Sequence, residues 1–261
     1  IRGFTPIAES FRTDPQGLTK LINRVLTPLS REVLSHRGTI DKYIGDCVMA
    51  FWNAPIDDEE HPKHACDCAL AMMDSLVALN QELTAEGFYK AHKVNQIAVS
   101  IGINTGTCVV GNMGSDLRFD YSALGDAVNV SARIQSFAGN YGFPVIIGED
   151  TVARVSDKFA FLEVDFLAVK GRATPAYLYA LMGHAHVRET QAFQDLDGVL
   201  QELFKSFRSR DWAGARAAIA KGRAIEGAPE DIFDTYEERV HHYELEPPPA
   251  NWDGSWAAKE K

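Results

Sequence analysis

The sequence has little cysteine and no hydrophobic run long enough to cross a membrane. Its 261 residues include four cysteines, at positions 47, 66, 68 and 108, and these form no recognisable disulfide framework. We recognise no signal peptide, and no apolar stretch reaches the roughly 20 residues of a membrane helix. A disulfide-rich secreted scaffold is therefore excluded, and we expect a reduced, cytoplasmic protein.

Basic charge is also scarce. Lysine and arginine together number 26 against 36 acidic residues, which gives a net charge of −10. A nucleic-acid-binding protein needs a basic surface, so nucleic acid is excluded as a main partner. An acidic protein that handles a polyphosphate would have to bring metal cations and a few well-placed basic side chains.

The start of the chain and a change in composition suggest its organisation. The sequence begins at Ile1, without Met, in what resembles the end of a buried strand, so we expect a fragment of a longer protein. After His184 the pattern becomes that of helices joined by short turns. We therefore predict one main domain over residues 1–182 and a helical C-terminal extension over residues 183–261.

Hydrophobic periodicity predicts a mixed fold. Apolar residues recur at helical spacing from Ile7 to Leu29, which predicts one long helix, and further helices are predicted over 60–87 and 125–138. Segments 97–103 and 107–111 are predicted to pair as a hairpin. Together with the later strand-like segments, this pattern indicates an α+β fold in which helices pack on a mostly antiparallel sheet.

The most informative stretch runs from Thr39 to Phe51. Two segments rich in β-branched and aromatic residues flank Gly45 and Asp46, a pair that is typical of a tight hairpin turn. Such a turn would hold the Asp46 carboxylate at a hairpin tip. Lys42 lies four residues upstream of it.

A second stretch, residues 119–133, places Asn129 and Arg133 four residues apart. Residues at this spacing share one face of a helix. Together with the hairpin, this stretch closely resembles the catalytic domain of class III nucleotidyl cyclases, and the resemblance extends over residues 1–182.

The resemblance implies a fold, a reaction and an assembly. The fold is a ferredoxin-like, palm-type βαββαβ sheet with helices packed on it. The reaction is that of an adenylate cyclase: two metal ions, Mg²⁺ or Mn²⁺, assist the attack of the ribose 3′-OH of ATP on the α-phosphate, and cyclic AMP and pyrophosphate are released. The assembly is a homodimer with two shared sites.

The resemblance also assigns metal-binding and phosphate-binding positions. Asp46 corresponds to one metal-binding Asp, and the carbonyl of Ile1 is a second metal ligand. The family's other metal-binding Asp would precede Ile1. Gly3, Phe4 and Thr5 lie where a strand leads into a helix, so their amides are expected to meet phosphate oxygens.

The base and the rest of the nucleotide are assigned in the same way. Lys42 occupies the base-selecting position and Ser122 its partner position, where a hydroxyl accepts from the adenine amino group. Asn129 is expected to orient the ribose, Arg133 to neutralise charge on the α-phosphate, and Lys170 to bind the β- and γ-phosphates.

Two alternatives remain open from the sequence. A guanylate cyclase is disfavoured by Lys42, because guanylate cyclases carry Glu at that position. A catalytically degenerate cyclase-like module that binds nucleotide and regulates a partner is disfavoured by the presence of Asp46, Asn129 and Arg133. The tail, with Pro-Pro-Pro-Ala-Asn-Trp-Asp-Gly at residues 247–254, also resembles that of bacterial adenylate cyclases, and this resemblance implies a sensor domain and membrane helices upstream.

Overall fold

The computed structural model describes residues 1–115, 117–168 and 175–257. The helices are α1 (Phe4–Ser10), α2 (Pro15–Ser35), α3 (His61–Ala85), α4 (Phe88–His92), α5 (Asp126–Tyr141), α6 (Glu149–Val155), α7 (Gln191–Arg208), α8 (Trp212–Arg223) and α9 (Glu230–Leu245). The strands are β1 (Thr39–Ile44), β2 (Cys47–Phe51), β3 (Ile101–Ile103), β4 (Val109–Ser115), β5 (Arg118–Leu124), β6 (Val145–Gly148), β7 (Phe159–Ala168), β8 (Ala176–His184) and β9 (Trp256–Ala257). The predicted α+β fold class is confirmed.

The chain divides into two compact units. The first contains Ile1–Ser100 and Gly106–Val128, and the second contains Ile101–Thr105 and the chain from Asn129 onward. This division does not test the predicted boundary between residues 182 and 183, which stays a prediction. Asn129 and Arg133 belong to the second unit, while Asp46, Lys42 and Ser122 belong to the first.

The first unit is built on α2 and α3. Their apolar faces meet through fully buried side chains such as Val25 and Val33 of α2 and Leu83 of α3. Asn80 of α3 anchors the segment that follows α4, because its side chain donates to the Ile97 carbonyl and accepts from the Ile97 amide. The buried faces of α2 and α3 therefore form the core of this unit, and α2 also packs against β1 and β2.

The prediction of one long helix from Ile7 to Leu29 is wrong, because α1 ends at Ser10 and α2 begins at Pro15. The Asp14 carboxylate caps α2 by accepting from the Gly17 amide at 2.9 Å. Proline is favoured in a first helical turn, while the residue before a proline is disfavoured from helical conformation. The chain therefore ends one helix and starts another, although the apolar spacing continues on both sides.

Strand pairing differs from the sequence-based prediction. The Gly45–Asp46 hairpin is confirmed: β1 and β2 pair antiparallel with Ile44 opposite Cys47. The predicted hairpin between 97–103 and 107–111 is wrong, because β3 pairs in parallel with β6 and β4 pairs antiparallel with β5. A sequence signals a hairpin only through the residues of its turn. The turn of the β4–β5 hairpin lies between Ser115 and Arg118, and not between residues 103 and 107 as predicted.

The second unit contains a five-stranded mixed sheet in the order β3-β6-β8-β7-β9. β8 is antiparallel to both β6 and β7, while the two edge strands run parallel to their neighbours. The sheet shares one hydrophobic core with α5, α7, α8 and α9, which includes Ile134, Leu162, Leu200 and Phe233. The C-terminal helices therefore bury their apolar faces on the same core as the sheet.

Where it describes the chain, the structure agrees with the absence of disulfides and of long apolar runs that the sequence indicated. All four cysteines are free, and burial raises the pKa of the Cys66 and Cys68 thiols to about 12. Thiols of such high pKa stay protonated and are poor nucleophiles. Within the three described ranges, no helix combines the length and apolarity that a membrane crossing requires.

A buried carboxylate joins α5, β7 and α9. Asp165 of β7 pairs with the Arg239 guanidinium through two hydrogen bonds of 2.8 and 2.7 Å. It also accepts from the hydroxyls of Tyr141 on α5, at 2.5 Å, and Tyr236 on α9, at 3.0 Å. Burial together with the Asp165 charge raises the pKa of both tyrosine hydroxyls, so both remain protonated donors.

Replacing Arg239 by alanine should sharply reduce stability. The substitution leaves the Asp165 charge buried without its cation, and losing one partner of a buried pair costs about 3–5 kcal/mol. Urea denaturation measures the free energy of unfolding. Arg223→Ala is the matched control, since Arg223 pairs with Asp234 and Glu237 at the exposed surface of the same helical region and should cost about 1 kcal/mol or less. Equal, small costs for both variants would contradict the role of the buried pair.

Candidate active site

The hairpin of β1 and β2 presents Asp46 at its tip. Gly45 has φ 61°, in the left-handed region that glycine adopts without steric cost, and this allows the two-residue turn. The Asp46 side chain is about one-quarter exposed, at 26%, and its Oδ2 lies 2.9 Å from the amino nitrogen of Ile1. The amino group of Ile1 thus lies beside the Asp46 carboxylate. The predicted metal ligand is the Ile1 carbonyl, and its role stays a prediction.

Residues 3–5 form the start of α1. Gly3 has φ 59° and ψ 38° and precedes the first helical residue, Phe4. The amide of Arg2 donates to the Ala98 carbonyl at 2.7 Å, which fixes the chain just before the helix. The first amides of a helix have no intrahelical acceptor, so the backbone at Phe4 and Thr5 has the donors that the phosphate-binding prediction requires.

The donor chemistry at Asp46 fits one part of a divalent-metal site. Mg²⁺ prefers oxygen ligands and is commonly held by one or two carboxylates together with substrate phosphates. The Asp46 carboxylate and the Ile1 carbonyl are ligands of this kind. In the part of the chain that the structure describes, no group of three His, Cys, Asp or Glu side chains could hold a metal alone. Further oxygen ligands would therefore have to come from the nucleotide or from elsewhere.

Lys42 and Ser122 come together in the first unit. Lys42 Nζ donates to Ser122 Oγ at 3.2 Å, although 80 residues separate the two in the sequence. Ser122 is buried, while the Lys42 side chain is 41% exposed. A hydrogen-bond donor and a hydroxyl thus lie side by side at the two positions predicted to contact the base.

Asp41 completes this group, and the sequence reasoning missed it. Its side chain is fully buried and its Oδ2 accepts from the Ser122 hydroxyl at 2.6 Å and from the Ala123 amide at 3.2 Å. Its Oδ1 lies 3.1 Å from Lys42 Nζ, which is an ion-pair distance, but the angles do not make a hydrogen bond. The only sequence signal was a carboxylate directly preceding the lysine that is predicted to select the base.

A β-bulge explains how neighbouring residues reach the same hydroxyl. The pairing of β1 with β2 shifts between Ile40, opposite Ala50, and Lys42, opposite Met49, so Asp41 is the extra residue. In a regular strand, adjacent side chains point to opposite faces of the sheet. The bulge changes the direction of the Asp41 and Lys42 side chains, so both contact Ser122 on β5.

In the second unit, α5 carries Asn129 and Arg133 one turn apart. Val130, Ile134 and Ala138 of the same helix are buried in the core. Asn129 is exposed and Arg133 is half-buried, so both lie on the helix surface away from that core. The predicted helical spacing is therefore realised, and the side chains are accessible to a ligand.

Lys170, the predicted ligand of the β- and γ-phosphates, lies outside the described residues. Among the other sequence-predicted positions, Ile1 contacts Asp46, Lys42 contacts Ser122, and Asn129 and Arg133 share a helix face. The roles assigned to all of these residues remain predictions. The donor and acceptor types that they offer suit a nucleotide: carbonyl and carboxylate oxygens for a metal, a lysine and a hydroxyl for a base, and an arginine for phosphate.

Comparison with known proteins identifies the family. The sequence-family model of the adenylate and guanylate cyclase catalytic domain matches residues 1–183 of this chain. Adenylate cyclase 1 of Rhizobium meliloti (strain 1021) is 36% identical over 183 residues, which cover 70% of this chain and 26% of that protein. The chain spans about a third or less of the length of the first curated relatives that it matches.

Two solved structures share the fold. The guanylyl cyclase Cya2 superimposes with a TM-score of 0.62 at 28% identity, over 71% of this chain and 89% of that one. The adenylyl cyclase CyaB from P. aeruginosa gives a TM-score of 0.55 at 32% identity, over 69% and 89%. These neighbours confirm the expected palm-type cyclase fold. Because the family model covers most of its length and solved cyclase domains share its fold, the chain belongs to the family of adenylate and guanylate cyclase catalytic domains.

Proposed function

We propose that this chain is the catalytic domain of an adenylate cyclase, which converts ATP to 3′,5′-cyclic AMP and pyrophosphate. The contact between Lys42 and Ser122 is the observation that carries the proposal. The adenine edge offers an acceptor at N1 and a donor at the 6-amino group, and a lysine beside an accepting hydroxyl complements both. Adenylate cyclases among the relatives support the same substrate.

Guanylate cyclase activity is not favoured. Guanine offers a donor at N1 and an acceptor at O6, the reverse of adenine. Lys42 would then face a donor, and the Ser122 oxygen would face an acceptor. A polar group that is left unpaired in a closed pocket costs more than a good contact gains, so this mismatch selects against GTP.

The proposed reaction is an intramolecular displacement. The ribose 3′-oxygen forms a bond to the α-phosphorus while the bond from that phosphorus to the pyrophosphate oxygen breaks, and the 3′-hydroxyl proton is lost. Divalent metal, when bound, would activate the hydroxyl and neutralise phosphate charge. Asp46 would hold that metal, Asn129 would orient the ribose, and Arg133 would neutralise charge that builds on the α-phosphate. Lys170 binds the outer phosphates.

We extend the proposal to a homodimer with two shared sites. Apolar side chains are exposed on the ribbon of β4 and β5 and on its turn, and four of them are more than half exposed: Val109, Leu117, Phe119 and Leu124. A two-stranded ribbon is marginally stable by itself, and an apolar patch of this kind marks an interaction surface. A second copy of the chain is the proposed occupant, with Asp46 of one protomer and Arg133 of its partner acting on the same ATP.

The proposal also includes a regulatory context. The curated relatives are several times longer than the region that they share with this chain. That greater length supports a sensor domain, with or without a membrane anchor, that accompanies the cyclase domain in the full-length protein. The cyclase would then turn a signal into cyclic AMP on the cytoplasmic side.

The full-length protein should form cyclic AMP from ATP only with added Mg²⁺ or Mn²⁺, and EDTA should stop the reaction. Arg133→Ala should lower kcat about 100- to 1,000-fold with a smaller effect on KM, because the arginine acts on charge that develops in the transition state. Arg154→Ala, an exposed arginine on α6, is the control and should keep normal turnover. ATP binding without any turnover would instead favour the degenerate regulatory module.

Lys42→Glu should erode base selection. Glutamate offers an acceptor where adenine N1 is also an acceptor, while it suits the N1–H of guanine. The ratio of kcat/KM for ATP over GTP should therefore fall about tenfold or more. Lys63→Glu is the matched control, because Lys63 forms an intrahelical pair with Asp67 on α3. If the ATP over GTP ratio of kcat/KM were unchanged in Lys42→Glu, Lys42 would not contact the base.

Mixing two inactive chains should restore activity if the sites are shared. Asp46→Ala and Arg133→Ala damage different halves, so a mixed dimer holds one intact site and one doubly damaged site. Random pairing makes about half the dimers mixed, and activity should return to about a quarter of the unsubstituted value. Asp57→Ala and Arg154→Ala, two substitutions of exposed residues, are mixed in the same way as the control for expression and for subunit exchange. Absence of recovery, with subunit exchange demonstrated, would argue for a site within one chain.

A further inference from the structure

The hydroxyl of Ser122 has a fixed direction. It donates its proton to Asp41 Oδ2 at 2.6 Å and accepts from Lys42 Nζ at 3.2 Å. A serine hydroxyl has one proton and two acceptor positions. With the proton committed to a buried carboxylate, the oxygen can only accept from any further group that approaches it.

Turning this proton outward is costly. Asp41 is fully buried, its Oδ1 has no hydrogen-bond partner among the described residues, and its Oδ2 has the Ser122 hydroxyl and the Ala123 amide as donors. Without the hydroxyl, the carboxylate would keep one hydrogen bond, from the Ala123 amide at 3.2 Å, beside the Lys42 ammonium at 3.1 Å from Oδ1. A buried charge needs its hydrogen bonds, so the carboxylate holds the hydroxyl proton in place.

We propose that Asp41 is a specificity-determining positioning residue, which makes Ser122 an obligate acceptor and thereby selects a 6-amino purine over a 6-oxo purine. The inference rests on the proposed adenylate cyclase function. A free serine hydroxyl could donate to guanine O6 as readily as it accepts from the adenine amino group. Asp41 removes the first option, so a residue that does not contact the base rejects the wrong one.

Two substitutions at Asp41 separate the hydrogen bond from the charge. Asp41→Ala removes the acceptor and frees the Ser122 proton. Asp41→Asn keeps an acceptor, because the Ala123 amide favours the side-chain oxygen in the position of Oδ2 and directs the amide group toward Lys42. The alanine variant should therefore lose selectivity, while the asparagine variant should retain it.

The test measures kcat/KM for ATP and GTP with the full-length protein, and binding by competition with a fluorescent ATP analogue. Asp41→Ala should lower the ATP over GTP ratio about tenfold in both readouts, and Asp41→Asn should stay within about twofold of the unsubstituted protein. In a Ser122→Ala background, Asp41→Ala should change the ratio less than about twofold, because its effect passes through the hydroxyl. Asp58→Ala is the control for loss of a buried carboxylate, since Asp58 pairs with His64.

A second measurement needs no substitution and so does not depend on the folding of the alanine variant. N6-methyl-ATP and 6-methoxypurine riboside triphosphate have nearly the same shape, but the first donates at position 6 and the second accepts. The unsubstituted protein should bind the first at least about tenfold more tightly. Equal binding of the two analogues would overturn the inference.

The remaining outcomes are also decisive. If Asp41→Asn loses selectivity as Asp41→Ala does, the charge on Asp41 acts through Lys42 and the proposed role is wrong. If the Asp41 and Ser122 effects add in the double variant, the role is likewise wrong. An unchanged ratio in Asp41→Ala, with cyclic AMP still formed by the unsubstituted protein, overturns the inference alone. Failure of the unsubstituted protein to make cyclic AMP would instead overturn the proposed function.

Discussion

A carboxylate that leaves water has to be hydrogen-bonded or paired with a cation, and each unit of this chain contains such a group at a junction between elements. In the second unit, Asp165 binds Arg239 and two tyrosine hydroxyls, and these contacts join β7, α9 and the end of α5. In the first unit, Asp41 binds the Ser122 hydroxyl and thereby links the β1–β2 hairpin to β5. The same physical demand organises the helical core in one unit and the proposed base site in the other.

The two carboxylates differ in how completely they are hydrogen-bonded and in what their contacts do. Asp165 is satisfied by a guanidinium and by tyrosine donors, so its contribution is structural: it fixes the end of the helix whose other face carries Asn129 and Arg133. Asp41 is only partly satisfied and lies beside a half-exposed lysine. Its hydrogen bond makes the neighbouring Ser122 hydroxyl an acceptor toward any other group, and a purine binds according to whether it offers a donor or an acceptor there. In this account, substrate choice depends on a buried residue behind the contact surface as well as on the surface itself.

Local chemistry accounts for what the sequence could predict. Gly45 signals its turn, and the spacing along α5 is a property of one helix, so both were predictable from neighbouring residues. Pro15 marked the break between α1 and α2, but apolar spacing on both sides hid it. Short elements such as α4, α6 and β9 have too few residues for a periodic signal. Ser122 lies 81 residues from Asp41 and Arg239 lies 74 residues from Asp165, and local periodicity does not connect residues so distant. Only the family resemblance paired Ser122 with Lys42 in advance. The strand pairing of β3 was missed for the same reason.

A crystal structure of the full-length protein with a non-cyclising ATP analogue and divalent metal would show whether Asp41 sets the direction of the Ser122 hydroxyl toward the base. We expect Ser122 Oγ within about 3.2 Å of the adenine 6-amino nitrogen while Asp41 Oδ2 keeps its hydrogen bond to the same hydroxyl. Lys42 Nζ should then lie within hydrogen-bond distance of an acceptor on the base. Adenine bound away from Ser122, or a Ser122 hydroxyl turned away from Asp41 in the complex, would show that Asp41 does not select the purine.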